Sequence, residues 1–298
     1  MTIPALSRPY PMCMCKIDFH VHLTPPEISG NWQKFAEKEP YFALLSQSPH
    51  NRFASAENVV AMLTESGFDQ AVVFGFAFND PGLCRMVNDY VIDSVKQFPD
   101  KLIGFISVSP NDIGMEQEID RCHSAGLRGV GEIFPEGQGI SIDDPQQTRA
   151  LHGICLERNL PLIVHANEPV GHSYPGKTSV GLRQLERFVE NSPGLRVVLA
   201  HWGGGLLFYE SMPELREKFR NVYYDTAATP FLYDEGIYRA ALVLGLYEKI
   251  LFGSDFPLLS PSRYLPSLAV LPLPVRDRIL GGNAGKVLGI PIESPGSA

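Results

Sequence analysis

Pro161-Leu162-Ile163-Val164-His165 is an almost continuous apolar run that stops on an imidazole. A strand with one wet face alternates apolar and polar residues, whereas a run that is apolar throughout needs cover on both faces, as in a parallel sheet. The pattern recurs in both directions from this point. Strand candidates fall at Lys16–Phe19, Gln70–Gly75, Leu102–Val108, Gly129–Ile133, Pro161–His165, Arg196–Ala200, Val222–Asp225 and Ile250–Gly253. Helix signals separate them. Ser55 reads as the N-cap of a helix running through Ser66 and stopped by Gly67, and Asp80-Pro81 and Asp144-Pro145 each pair an N-cap with a first-turn proline. Val87, Tyr90, Val91 and Val95 share one helix face. Strands and helices in strict alternation predict an α/β fold, a closed (β/α)8 TIM barrel, with an open doubly wound sheet as the alternative.

The chain has 298 residues, which suits one barrel domain over 16–298, with 1–15 as an N-terminal extension. The connections 23–54 and 166–179 are too long for plain βα loops and are expected at the functional face. Hydrophobic residues make up 44% and charged residues 19%, which supports a large core and excludes a disordered chain. No apolar run approaches the roughly 20 residues of a membrane helix, and Met1 to Met14 lack the pattern of a secretory signal, so cytoplasm is the expected address. A formal charge of −8 without a Lys/Arg cluster argues against nucleic acid or an anionic membrane as partner. A small-molecule substrate is expected instead, with a homo-oligomer allowed. The 5 cysteines are scattered and suggest reduced thiols. Cys13 and Cys15 lack the companions of a structural zinc site.

The chemistry concentrates where the strands end. In Asp18-Phe19-His20-Val21-His22, strand alternation turns His20 and His22 to the same side, about 7 Å apart along the chain. Glu132 closes Gly129-Val130-Gly131-Glu132, His165 and His201 each end a strand run, and Asp255 follows Leu251-Phe252-Gly253-Ser254. Any one of them alone reads as a satisfied polar residue at a barrel rim. Together they offer imidazole and carboxylate, donors suited to zinc first and to manganese or iron as well, at the barrel end where active sites form. His172, Tyr174 and Lys177, in the loop after the fifth strand, are candidate substrate contacts. Tyr223, Tyr224 and Asp225 are candidates for orienting a ligand. His50, His123 and His152 read as loop or helix-surface residues.

Taken with His201-Trp202-Gly203-Gly204, Gly253-Ser254-Asp255-Phe256-Pro257 and Gly281-Gly282-Asn283-Ala284, the Asp18–His22 motif resembles the amidohydrolase superfamily. Its details are similar to the amidohydrolase-related branch that includes aminocarboxymuconate semialdehyde decarboxylase, from about Lys16 to Gly289. The resemblance implies a metal-dependent enzyme with one or two ions. In the two-ion form, His20, His22 and Asp255 hold one ion and Glu132 bridges to a second on His165 and His201. In the one-ion form, His20, His22, His165 and Asp255 bind the ion, and His201 is left as acid or base. Many members carry a carbamylated lysine where this sequence has Glu132, and TatD-type nucleases also use glutamate there. That departure places hydrolysis of an amide, lactone or related carbonyl compound first, by metal-activated water with Asp255 carrying the proton. A non-oxidative decarboxylase or hydratase of a small unsaturated or aromatic carboxylic acid is the alternative. A barrel that only binds is disfavoured by the complete donor set, and a nuclease by the lack of a phosphate-binding run.

Overall fold

The eight apolar runs are each walled twice, by the barrel interior on one side and by a helix layer on the other. The computed structural model describes residues 15–290. Apart from Cys15, the expected N-terminal extension lies outside the described residues, and Cys13 with it. The strands are β1 (Ile17–His22), β2 (Gln70–Phe74), β3 (Leu102–Gly104), β4 (Val130–Ile133), β5 (Leu162–Val164), β6 (Val197–Leu199), β7 (Val222–Asp225) and β8 (Ile250–Leu251). They pair in parallel and in chain order as two ladders, β1 to β3 and β4 to β8. Bridges between Ile106 and Val130 and between Val21 and Phe256 join the ladders. The Phe19 N–H also donates to the Phe252 carbonyl at 2.7 Å, which closes the ring. The result is the (β/α)8 barrel, not the open sheet. β3 stops short of the expected Val108 because its later backbone leaves the ladder: the Ser107 N–H donates to Asn88 Oδ1 at 2.8 Å.

The outer helices are α1 (Ala56–Ser66), α2 (Pro81–Gln97), α3 (Met115–Ser124), α4 (Pro145–Glu157), α5 (Leu182–Glu190), α6 (Pro213–Lys218), α7 (Gly236–Val243) and α8 (Asn283–Leu288). Their starts follow the local chemistry. Ser55 Oγ accepts from the Asn58 N–H while Asn58 Oδ1 accepts from the Ser55 N–H, forming a capping box. Asp80 and Asp144 accept from the Leu83 and Gln146 N–H groups. Inside the barrel, Phe19, Phe74, Phe105, Ile163, Val198 and Leu251 pack together. The residue just before β4 lends room rather than bulk, since a Cβ at Gly129 would stand 2.3 Å from the Phe105 ring.

Two side chains brace the loops at the C-terminal face. Gln138, fully buried, accepts from the Phe134 N–H and donates to the carbonyls of Phe78 and Val108, joining the loops after β2, β3 and β4. Glu136 accepts from the Tyr41 hydroxyl and from the Ser179 N–H and hydroxyl, tying the long loop after β1 to the loops after β4 and β5. That first loop holds three short helices, Pro26–Ser29, Trp32–Ala36 and Pro40–Ser46, packed through Ile28 and Phe42 against Phe78 and Cys84. Among the described residues no helix is long and apolar enough to cross a membrane. Cys84, Cys122 and Cys155 are buried thiols outside any disulfide. His152 departs from the surface position expected of it. It is buried beside Ser192 Oγ at 2.7 Å, and burial holds its imidazole down at about 4.

Two glycines separate packing from helix propensity. A Cβ at Gly104 would lie 2.4 Å from Leu127 Cδ2, whereas at Gly153, inside α4, nothing stands within 4 Å. Gly104→Ala is expected to lower unfolding free energy by about 1–3 kcal/mol through overpacking. Gly153→Ala is expected to raise it by about 0.5–1 kcal/mol. Urea denaturation of both variants checks the signs, and equal effects would refute the packing assignment.

Candidate metal centre and active site

The donors reach one point because the backbone is bent to aim them. Between β1 and β2 the register runs from Asp18–Ala71 to Val21–Val73, so β1 carries one extra residue around His20. Between β4 and β5 it runs from Val130–Leu162 to Ile133–Val164, so β4 carries one extra residue around Glu132. Bulges of this kind re-aim a side chain at a barrel rim. His165 and His201 follow β5 and β6. His201 and Trp202 adopt left-handed φ of 53° and 59° and begin a turn continued by Gly203 and Gly204. At Gly204 a Cβ would stand 2.1 Å from the Asn167 carbonyl oxygen, so only glycine fits. Asp255 is also left-handed, with φ 62°, and its N–H donates to the His20 carbonyl at 2.9 Å.

All six expected donors converge, in two groups: His20, His22 and Asp255, and Glu132, His165 and His201. Within each group the ligand atoms lie within 4.8 Å of one another. His20 Nε2 is 3.3 Å from His22 Nε2, 3.7 Å from Asp255 Oδ1 and 3.8 Å from Glu132 Oε2, so the groups adjoin. Asp225 sets the orientation. Its buried carboxylate accepts from His20 Nδ1–H at 2.9 Å, from the His201 N–H at 2.9 Å and from the Ala227 N–H at 3.0 Å. His20 Nε2 is thereby left for the centre, as in the carboxylate-histidine pairs of metal sites. His201 Nδ1–H donates to the Ala227 carbonyl at 3.0 Å, which likewise leaves its Nε2 available. Tyr224 has a different task from the one expected: its hydroxyl donates to the buried Glu210. Asp18, inside the quoted motif yet not singled out from sequence, accepts from the N–H and hydroxyl of Ser254 and so fixes the residue before Asp255. Burial lifts the Asp18 carboxyl to about 7.

The electrostatics of the cluster ask for a cation. Burial opposes charge on His20, but Asp225, Glu132 and Asp255 outweigh it and hold the imidazole up at about 10. Burial opposes charge on His165 as well, but Glu132 Oε1 at 3.0 Å and the Gly176 carbonyl at 2.8 Å push its imidazole toward the protonated form. Burial would raise Glu132, yet His165, His20 and His201 hold it down at about 2, and His22, His20 and His201 hold Asp255 well below the usual carboxylate range. Protons on imidazole thus stand where the positive charge of a divalent ion would stand. The donor chemistry and spacing fit such an ion.

The cluster floors a cavity of about 510 Å³. Phe42, Phe53, Phe76, Phe134 and Phe231 give it aromatic walls, and His50, Arg52 and His172 bring polar groups to it. Of the expected substrate contacts, His172 and Tyr174 line the cavity. Lys177 is absent from that lining; its ammonium is folded onto carbonyls of its own loop. His50 is an exposed loop residue, as expected, and also lines the cavity, with its ring 5.9 Å from that of Phe231.

The profile of a family described as Amidohydrolase matches residues 17–290. The fold is similar to that of 5-carboxyvanillate decarboxylase from Sphingomonas paucimobilis, with a TM-score of 0.76 and 16% identity over 94% of this chain and 100% of that one. It is similar to the enzyme of the same name from Novosphingobium aromaticivorans, solved with manganese and 4-hydroxy-3-methoxy-5-nitrobenzoic acid, with a TM-score of 0.73 and 16% identity over 93% and 96% of the two chains. For 2,6-dihydroxybenzoate decarboxylase from Rhizobium the TM-score is 0.67, with 17% identity over 93% and 99%. A search of curated proteins returned no match.

The Asp225 contacts generate a test of the donor set. Asp225→Ala should fold and keep the cavity, yet bind manganese or zinc roughly 10–100-fold more weakly. Titration against a chelator measures this, and unchanged affinity would mean that Asp225 only braces the backbone.

Proposed function

The chain belongs to the amidohydrolase family, and from that premise we propose that it is a metal-dependent carboxy-lyase, removing carbon dioxide from a small aromatic or unsaturated carboxylic acid without oxidation. The observation that carries this reading is the meeting of a cation-seeking donor cluster with an aromatic-walled cavity in one site. Flat apolar walls suit an unsaturated ring and keep water from it. The three structural neighbours named above are decarboxylases of aromatic acids, which supports the lyase over the hydrolase placed first on sequence alone.

His20, His22 and Asp255 would hold the ion, with Glu132 and His165 beside them. When bound, a divalent ion supplies a Lewis acid for an anionic substrate oxygen. Manganese, present in the Novosphingobium aromaticivorans neighbour, and zinc both suit these donors. The chain's own work is orientation and proton transfer. The aromatic walls hold the ring, and His201 offers Nε2 because Nδ1–H is committed to the Ala227 carbonyl. As the carbon–carbon bond breaks, its electron pair stays on the ring carbon and carbon dioxide leaves. A proton that His201 Nε2 takes up from solvent is passed to the vacated position, which leaves the nitrogen bare again at the end of the step. Such general acid assistance is worth about 10²–10⁴-fold.

One observation supports a second reading. Glu132, His165 and His201 are themselves a compact donor group, enough for a second ion and for hydrolysis of an amide or lactone with Asp255 as proton carrier.

The two readings part in heavy water. Manganese-loaded protein is offered 2,6-dihydroxybenzoate, 5-carboxyvanillate, an unsaturated dicarboxylate, lactones and amides. The lyase releases one carbon dioxide per turnover and leaves deuterium on the vacated carbon. His201→Asn should keep its metal and lose roughly 10²-fold or more in kcat. Turnover of lactones or amides with two bound ions and no carbon dioxide would establish the hydrolase instead.

A further inference from the structure

The ammonium of Lys177 has all three of its protons directed at successive carbonyls of its own loop. Nζ donates to the carbonyl of Val170, to that of Gly171 at 3.3 Å and to that of His172 at 3.1 Å, and it stands 5.8 Å from the centroid of the Tyr174 ring. Lysine carries three donors and no acceptor, so this set exhausts it. Three neighbouring carbonyl dipoles turned toward one point repel each other unless a cation sits between them, and bonds from a charged donor are about twice as strong as neutral ones.

The rest of the loop shows what this arrangement holds. Its two ends are pinched together: Asn167 Oδ1 accepts from the Thr178 N–H at 3.0 Å and from its hydroxyl at 2.7 Å. Asn167 is buried, and its carbonyl packs against Gly204 in the turn that carries His201. The Gly176 carbonyl accepts from His165 Nε2–H at 2.8 Å, and the Tyr174 hydroxyl donates to Glu168 at 2.8 Å. Between those fastenings, Val170 to His172 has little apolar packing of its own; Val170 is 74% exposed. Nothing but the lysine gathers that stretch among the hydrogen bonds of the described residues, and the stretch leads directly into the cavity-lining His172 and Tyr174.

We propose that Lys177 is a positioning residue: through the carbonyls of Val170, Gly171 and His172 it holds His172 and Tyr174 in the cavity wall, and so sets how tightly the substrate acid is gripped without touching it. Selectivity for an aromatic acid rests on the carboxy-lyase reading, whereas the order of the loop does not. The role separates from catalysis because His201 and the donor cluster are anchored elsewhere, through Asp225 and Ala227. It separates from substrate contact because the ammonium is already fully engaged. Arginine can replace the charge but not three converging donors, since its guanidinium is a planar fork.

The test uses full-length manganese-loaded protein, wild type, Lys177→Met and Lys177→Arg. Hydrogen exchange by mass spectrometry reads the loop, and steady-state kinetics on the hydroxybenzoate turned over fastest reads the site. In Lys177→Met, exchange across residues 168–177 should quicken on the order of tenfold, and KM should rise by a similar factor, with kcat within about threefold and metal content unchanged. Lys177→Arg should fall between wild type and Lys177→Met in both readouts. Wild-type exchange in the Lys177→Met loop would overturn the proposal, as would a loosened loop with unchanged KM or a loss confined to kcat. If no acid is turned over by wild type, the lyase reading falls, and the exchange rates alone decide whether Lys177 orders the wall.

Discussion

Four carboxylates, Asp18, Glu132, Asp225 and Asp255, are buried at one end of a barrel whose interior is otherwise hydrocarbon. Charge removed from water is tolerated only when it is paired and hydrogen-bonded. Asp18 meets this by rising toward neutrality beside Ser254. Asp225 meets it with one imidazole N–H and two backbone N–H groups. Glu132 and Asp255 have only histidines to answer them, and of these His20 and His165 are held toward the protonated form by the carboxylates beside them. That unmet demand for positive charge explains the rest of the site, including why its imidazoles are fixed from behind and why their free nitrogens meet.

The backbone bears strain to satisfy this demand. His201, Trp202 and Asp255 are left-handed without being glycine, a conformation that costs roughly 1–2 kcal/mol for each residue. Each is held by contacts that outlast the strain. The His201 N–H is bonded to Asp225, Trp202 Nε1–H to Thr229 Oγ1 at 2.8 Å, and the Asp255 N–H to the His20 carbonyl. The last of these bonds lies on the seam that closes the barrel between β8 and β1, so the seam of the fold runs through the centre of its chemistry.

How much of this was legible in sequence varies with the range of the interaction. The strands were legible because burial on both faces writes itself into every position of runs such as Leu162–Val164. The six donors were legible because they sit where such runs end. The bulges at His20 and Glu132 were not, since an inserted residue leaves no mark in a short apolar sequence; alternation predicted a common side for His20 and His22, and the geometry that delivers it includes an extra residue. The burial of His152 could have been read, because Thr148, Leu151, His152 and Cys155 form the buried stripe of α4 at helical spacing. The placement of His50 and Arg52 at the cavity and the turning of Lys177 onto its own loop had no sequence period to announce them. Those positions depend on loops packed across the barrel mouth by Glu136 and Gln138.

The choice between lyase and hydrolase turns on where positive charge settles within the cluster, since the two donor groups adjoin and share Glu132 as neighbour. A crystal soaked in manganese and measured for anomalous scattering locates that charge directly. The predicted result is a strong peak within coordinating reach of His20 Nε2, His22 Nε2 and the Asp255 carboxylate. A fully soaked crystal with no peak among these six residues, or with its peak elsewhere on the barrel, would contradict the reading of this cluster as a metal centre.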